Sequence, residues 1–132
     1  FVTSIFLLAT KVGADPFARL IQSDWVWNRM DAASCLGGES YNVSSDRTQI
    51  WVETGAQMEV RGTITDHAAY KVLGSGERHI DMFLELEKWT DDEGNLVWWR
   101  LVFLDDGRFV WIRSDWPEGK HTKPMTPCQN IG

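Results

Sequence analysis

The sequence predicts an all-β domain, a single antiparallel up-and-down β-barrel with a short N-terminal helix, and three observations predict it. The first is the stretch 96–116, LVWWRLVFLDDGRFVWIRSDW, in which the turn signal Asp106-Gly107 separates two runs of alternating apolar and polar residues. The second is that the preceding run, Arg78 to Trp89, alternates with the same period and pairs across the polar loop TDDEGN without changing which face is apolar. The third is the lack of any long helical periodicity, so that seven or eight sequential strands have no helical layer to cover them and must close on themselves. A chain of 132 residues builds one domain.

The N-terminal run FVTSIFLLAT is apolar and uncharged and is too short to span a bilayer. It fits the core of a secretory signal, with small residues at Val12 and Ala14 before a cleavage point, so residues 1–14 read as a signal-peptide remnant and 15–132 as the barrel domain. Asp15-Pro16 opens a segment, PFARLIQ, with Phe17, Leu20 and Ile21 at helical spacing, enough for one or two turns. Ser23 to Met30 alternates as a first strand, 31–39 is a Gly-rich loop, and Ser40 to Ser44 is a short strand. Thr48 to Thr54 and Gln57 to Thr65 form a hairpin about Gly55. An odd-length connection there pairs Val52 with Met58 and Ile50 with Val60 on one face.

His67 to Leu73 continues as a strand, and Gly74-Ser75-Gly76 turns the chain. Pairing across TDDEGN then sets Trp89 near Leu96, Leu86 near Trp99, Glu85 near Arg100 and Met82 near Phe103. A two-residue turn at Asp106-Gly107, with both residues at positive φ, pairs Phe103 with Val110, Val102 with Trp111, Leu101 with Ile112 and Arg100 with Arg113. That register gives one apolar face, Trp99, Leu101, Phe103, Val110 and Ile112. The opposite face mixes aromatic and cationic residues: Phe83, Trp98, Arg100, Phe109, Trp111 and Arg113. The tail from Pro117 onward holds three of the four prolines and reads as irregular.

The eight Trp are the anomaly of composition, since indoles serve β-rich cores, apolar pockets and recognition surfaces alike. A net charge of −6 argues against binding a phosphate backbone, so no nucleic-acid partner is expected. No run is long enough for a stable membrane span. Cys35 and Cys128 lack the close spacing of a metal or redox pair; in an exported chain they read as one disulfide that ties the tail back, worth about 4 kcal/mol in the chain-entropy model.

The three His are scattered without a zinc-ligand spacing, and the acidic pairs at Asp91-Asp92 and Asp105-Asp106 are explained by turn chemistry. Gly74-Ser75-Gly76 lacks the following helix and Lys of a phosphate loop, and Asn42-Val43-Ser44 matches a glycosylation acceptor. No metal, no cofactor and no catalytic constellation is expected.

Trp25, in SDW at the first strand, and Arg113, in WIR at the last, resemble the Trp and Arg of lipocalin and wider calycin barrels, although Ser23 stands where that motif has Gly. The resemblance implies an Arg packed across a Trp at the closed end of a barrel and a small apolar ligand inside it.

The expected function is therefore that of an exported, periplasmic or secreted, binding protein. One class holds a small apolar or amphipathic ligand in a cavity lined from Trp25, Trp27, Trp99, Phe103 and Ile112. The other is a protein-binding module or secreted hydrolase inhibitor using the Trp and Arg face and the loops, since Trp and Arg are enriched in binding hot spots.

Overall fold

The computed structural model describes residues 15–60, 63–87 and 89–129, and the expected signal remnant, 1–14, lies outside them. A helix, α1 (Pro16–Ile21), precedes eight strands: β1 (Trp25–Val26), β2 (Glu39–Val43), β3 (Gln49–Val60), β4 (Thr63–Ser75), β5 (His79–Leu84), β6 (Trp99–Phe103), β7 (Phe109–Arg113) and β8 (Thr126–Pro127). Their order in the sheet is β7-β6-β5-β4-β3-β2-β1-β8, all antiparallel, a nearly closed up-and-down barrel.

The expected helix forms because Pro16 supplies a helical φ at its first position and Asp15 caps it, its Oδ1 accepting from the Ala18 N–H at 3.0 Å. Its Phe17 and Leu20 are buried, and the Leu20 carbonyl accepts the Trp25 indole N–H at 2.9 Å, so the helix plugs one end of the barrel. The first strand is shorter than expected. After Val26 the Asn28 side chain caps a 3-10 turn, Arg29–Asp31, which takes Met30 out of the sheet.

The largest correction is the β6–β7 register. Leu101 faces Trp111, Phe103 faces Phe109 and Arg100 faces Ile112, one residue away from the expected pairing. Leu104 accepts from the Gly107 N–H and donates to Arg108, so the loop has three residues, and only Gly107 in it has positive φ, at 89°. That is a type I turn closed by a left-handed glycine, which Asp106-Gly107 serves as well as a two-residue turn. The odd count reverses the parity of β7. Phe109 and Trp111 turn into the core with Leu101 and Phe103, while Ile112 turns outward.

Two other pairings differ. Asp81, not Glu85, stands opposite Arg100, a four-residue slide that leaves the faces unchanged. Gly55 does not turn the chain; β3 runs on to Val60, which pairs with Thr63. Val52 and Ile50 pair with Ala68 and Tyr70, and Gly55 falls where the β3–β4 register shifts between Glu53 and Met58. The next turn follows Ser75, where the Gly76 N–H bonds to the His79 carbonyl, because Gly74 is taken into β4 beside a bulge at Val72/Gly74.

The tail expected to be irregular closes the barrel. Met125 exchanges backbone bonds with Phe109 on β7, the Thr122 N–H donates to the Trp111 carbonyl, and β8 then pairs with β1. The expected disulfide is present: Cys35 and Cys128, 93 positions apart, lie with Cα atoms 5.3 Å from each other and hold this segment against the loop after β1.

Candidate functional site

Alternation along the inner face fills the barrel from the helix-plugged end. Trp25, Phe103 and Phe109 pack edge to face there, with centroids 4.8–5.9 Å apart, over Leu20, Ile50, Ile80, Met82 and Leu101. Four positions along β6 from Phe103, about 13 Å at the usual rise of a strand, the inner face reaches Trp99 and the other mouth. Here Trp27, Tyr70, Trp99, Trp111 and Thr122 line an open cavity of about 180 Å³.

Each wall comes from a different element. Tyr70 is inward on β4, offset-stacked on Trp111 of β7 at 5.7 Å with 19° between planes. Trp99 on β6 stands at 84° to Trp111, 6.0 Å away. Trp27 follows β1 and remains 39% exposed, whereas Trp111, at 6%, is the floor. Thr122 of the closing segment accepts from the Trp111 N–H at 2.9 Å through its hydroxyl.

Two carboxylates stand close to these rings. Glu39, inward on β2, accepts from the Tyr41 hydroxyl at 2.9 Å and lies close enough to Trp27 for that side chain to lower its pKa; Glu87 accepts from the Trp99 indole N–H at 3.0 Å. Burial pushes the Glu39 carboxyl above its ordinary range, against the lowering effects of the Tyr41 hydrogen bond and of Trp27. Burial, helped by the charges of Glu39 and Glu87, likewise pushes the Tyr70 phenol well up, so Tyr70 stays a neutral ring.

The residues expected to line a ligand cavity divide. Trp27 and Trp99 reach the mouth, Trp25 and Phe103 are sealed in the core, and Ile112 lies on the outer wall. The expected Trp and Arg face divides too, because the three-residue loop turns Phe109, Trp111 and Arg113 to the inner side while Phe83, Trp98 and Arg100 stay outside. Arg100 forms a two-point bond to Asp81, at 2.7 and 3.0 Å, and lies over Trp98. Trp98, Arg100, Ile112, Trp116, Lys120 and His121 contribute to an outer cleft of about 310 Å³. The ring partners of Arg113 include Trp89 at 4.6 Å and Trp99 at 6.0 Å, while the guanidinium over Phe103, near Trp25, is that of Arg19.

Sequence reasoning missed Glu39, Tyr70 and Thr122, and placed Trp111 outside. The alternation of Glu39 with Tyr41 puts a carboxylate on an apolar face, which was the available signal for Glu39. Among the described residues no three or more His, Cys, Asp or Glu side chains gather to hold a metal ion, and no helix is long and apolar enough to cross a membrane. The chain matches no protein-family model, no curated protein and no solved structure.

Proposed function

We propose that this chain is an exported small-ligand-binding protein of calycin-like form, whose ligand enters the open mouth of the barrel opposite the helix plug. The observation that carries the reading is the convergence of Trp27, Tyr70, Trp99 and Trp111, from four parts of the chain, around one cavity while the rest of the interior is taken up by packed side chains. A volume of about 180 Å³ lies below the usual 300–1,000 Å³ range of drug-sized sites, so the mouth suits a small head group more than a retinoid or a haem. Export is supported by the apolar N-terminal run and by the Cys35–Cys128 bridge, which an oxidising compartment preserves. The polar groups at the mouth are engaged in holding aromatic rings, which favours binding over catalysis.

The test is tryptophan fluorescence with a panel of small amphipathic ligands. Saturable change in the wild type, weakened by Trp27→Leu at unchanged Tm, is the expected result; saturation unaffected by Trp27→Leu sinks the proposed location.

A second reading, a protein-binding module such as a hydrolase inhibitor, is favoured by the outer cleft, where Arg100, Lys120 and His121 meet Trp98 and Trp116 around about 310 Å³. It expects Trp98→Ala combined with Lys120→Ala to abolish co-purification of a partner while Tm moves by no more than a few degrees. Co-purification that survives the double change removes the cleft from consideration.

A further inference from the structure

We infer that the aromatic mouth is a site for a small organic cation, a methylated or protonated ammonium head group, because four ring-bearing side chains enclose it and the Glu39 carboxylate, held by Tyr41, lies on the same inner face. The inference rests on the mouth being the ligand site and names what that site takes.

The physical case begins with the rings. An indole or phenol ring has a negative face, and a cation within about 6 Å of its centroid is attracted to it, most strongly by Trp. Trp99 and Trp111 meet at 84° and Tyr70 lies parallel to Trp111, so the ring planes stand as adjoining walls and not as one flat stack. Such walls surround a roughly spherical head group with ring surface on several sides, which a flat aromatic ligand would not use. Glu39 lies close enough to Trp27 for that side chain to lower its pKa, and Trp99 donates its indole N–H to Glu87. Donation to a carboxylate orients the Trp99 ring and polarises it toward a more negative face.

The charges agree in sign. None of the five lining residues is cationic, and Glu39 lies on the inner face two positions from Tyr41, close enough to Trp27 and Tyr70 for its charge to act on both. The guanidinium that approaches Trp99, Arg113, stands on the inner side of β7 but is ion-paired to Asp115 at 3.0 Å and does not line the cavity. An anionic ligand would meet Glu39 without a compensating cation on the lining. A neutral aliphatic chain would need depth, and Leu101, Phe103 and Phe109, each nearly inaccessible, already occupy the space beneath the floor. The net charge of −6 draws cations toward the chain as a whole.

The experiment compares choline with its uncharged isostere 3,3-dimethylbutan-1-ol by tryptophan fluorescence and calorimetry on the wild type. A second arm uses phosphatidylcholine vesicles, to distinguish a free head group from one carried by a lipid. Choline, or the vesicles alone, should bind, with Kd for choline about tenfold or more below that of the alcohol. Glu39→Gln should weaken choline about tenfold and leave the alcohol unchanged. Equal binding of choline and the alcohol overturns the cation assignment while the mouth remains a ligand site. No response to choline, the alcohol or the vesicles overturns both.

Discussion

Glu39 and Tyr41 stand two residues apart on the inner face of β2, and the Tyr41 hydroxyl donates to the Glu39 carboxylate at 2.9 Å. A carboxylate in that position is costly, because burial raises its pKa above the ordinary 4.5 even with the Tyr41 hydrogen bond and Trp27 to lower it. The folded state therefore holds this proton more tightly than the unfolded chain. Its favourable contribution is complete below about pH 4.5 and is lost as pH rises through the folded pKa. Glu39→Gln should gain in Tm relative to the wild type as pH is raised from about 4 to about 7, read by thermal melts across that window. A wild-type advantage that grows with pH would show the carboxylate to be stabilising instead.

The β6–β7 register assigns opposite roles to neighbouring residues of β7. Phe109→Ala, at a fully buried ring packed on Trp25 and Phe103, should cost about 3–5 kcal/mol, whereas Ile112→Ala on the outer wall should cost less than about 2 kcal/mol. Urea denaturation of both variants measures the difference. A larger loss from Ile112 would restore the two-residue turn.

Holding the tail matters because it supplies the closing hydrogen bonds of the barrel at Phe109 and Trp111. Reducing Cys35–Cys128, or changing both residues to Ser, should cost about 4–5 kcal/mol for a loop of 93 residues. Amide exchange should show the Thr122, Met125 and Cys128 N–H groups losing protection first; uniform loss along the chain would mean that the barrel opens as a whole.

Gly38 is a sharper probe of the same junction. A Cβ there would lie 2.6 Å from the Cys35 sulfur and 3.0 Å from the Cys35 carbonyl oxygen, so Gly38→Ala must displace the bridge or the backbone beside it. The variant should lose about 1–3 kcal/mol, a typical cost of overpacking, and its disulfide should be reduced faster by a fixed dithiothreitol concentration. Wild-type stability with a wild-type reduction rate would contradict the closeness of this contact.

The Arg100–Asp81 pair has good geometry yet lies at the surface, with the two side chains 41% and 18% exposed. Asp81→Asn should lower stability by at most about 1 kcal/mol, and the difference should shrink in high salt. A loss several times larger would give the outer wall a structural weight that its exposure does not suggest.

Alternation with period two, turn residues and the lack of helical periodicity were enough, in the sequence alone, to determine the all-β class, the order of most strands, the Asp15-Pro16 helix start and the single disulfide. These are local or compositional signals, each carried by a few adjacent residues or by a lone pair of cysteines. The sequence could not decide between a two- and a three-residue loop at Asp106-Gly107, because both conformations accept that dipeptide. Only packing selects between them: with three residues Phe109 and Trp111 enter the core, and the inner face at the mouth gains Trp111 as its floor. The candidate site was legible in part, in the excess of Trp and in the inward alternation that singled out Trp27 and Trp99. Its assembly from Trp27, Tyr70, Trp99, Trp111 and Thr122 joins residues far apart in the chain, and such a site exists only after barrel closure sets the registers of all the intervening strands.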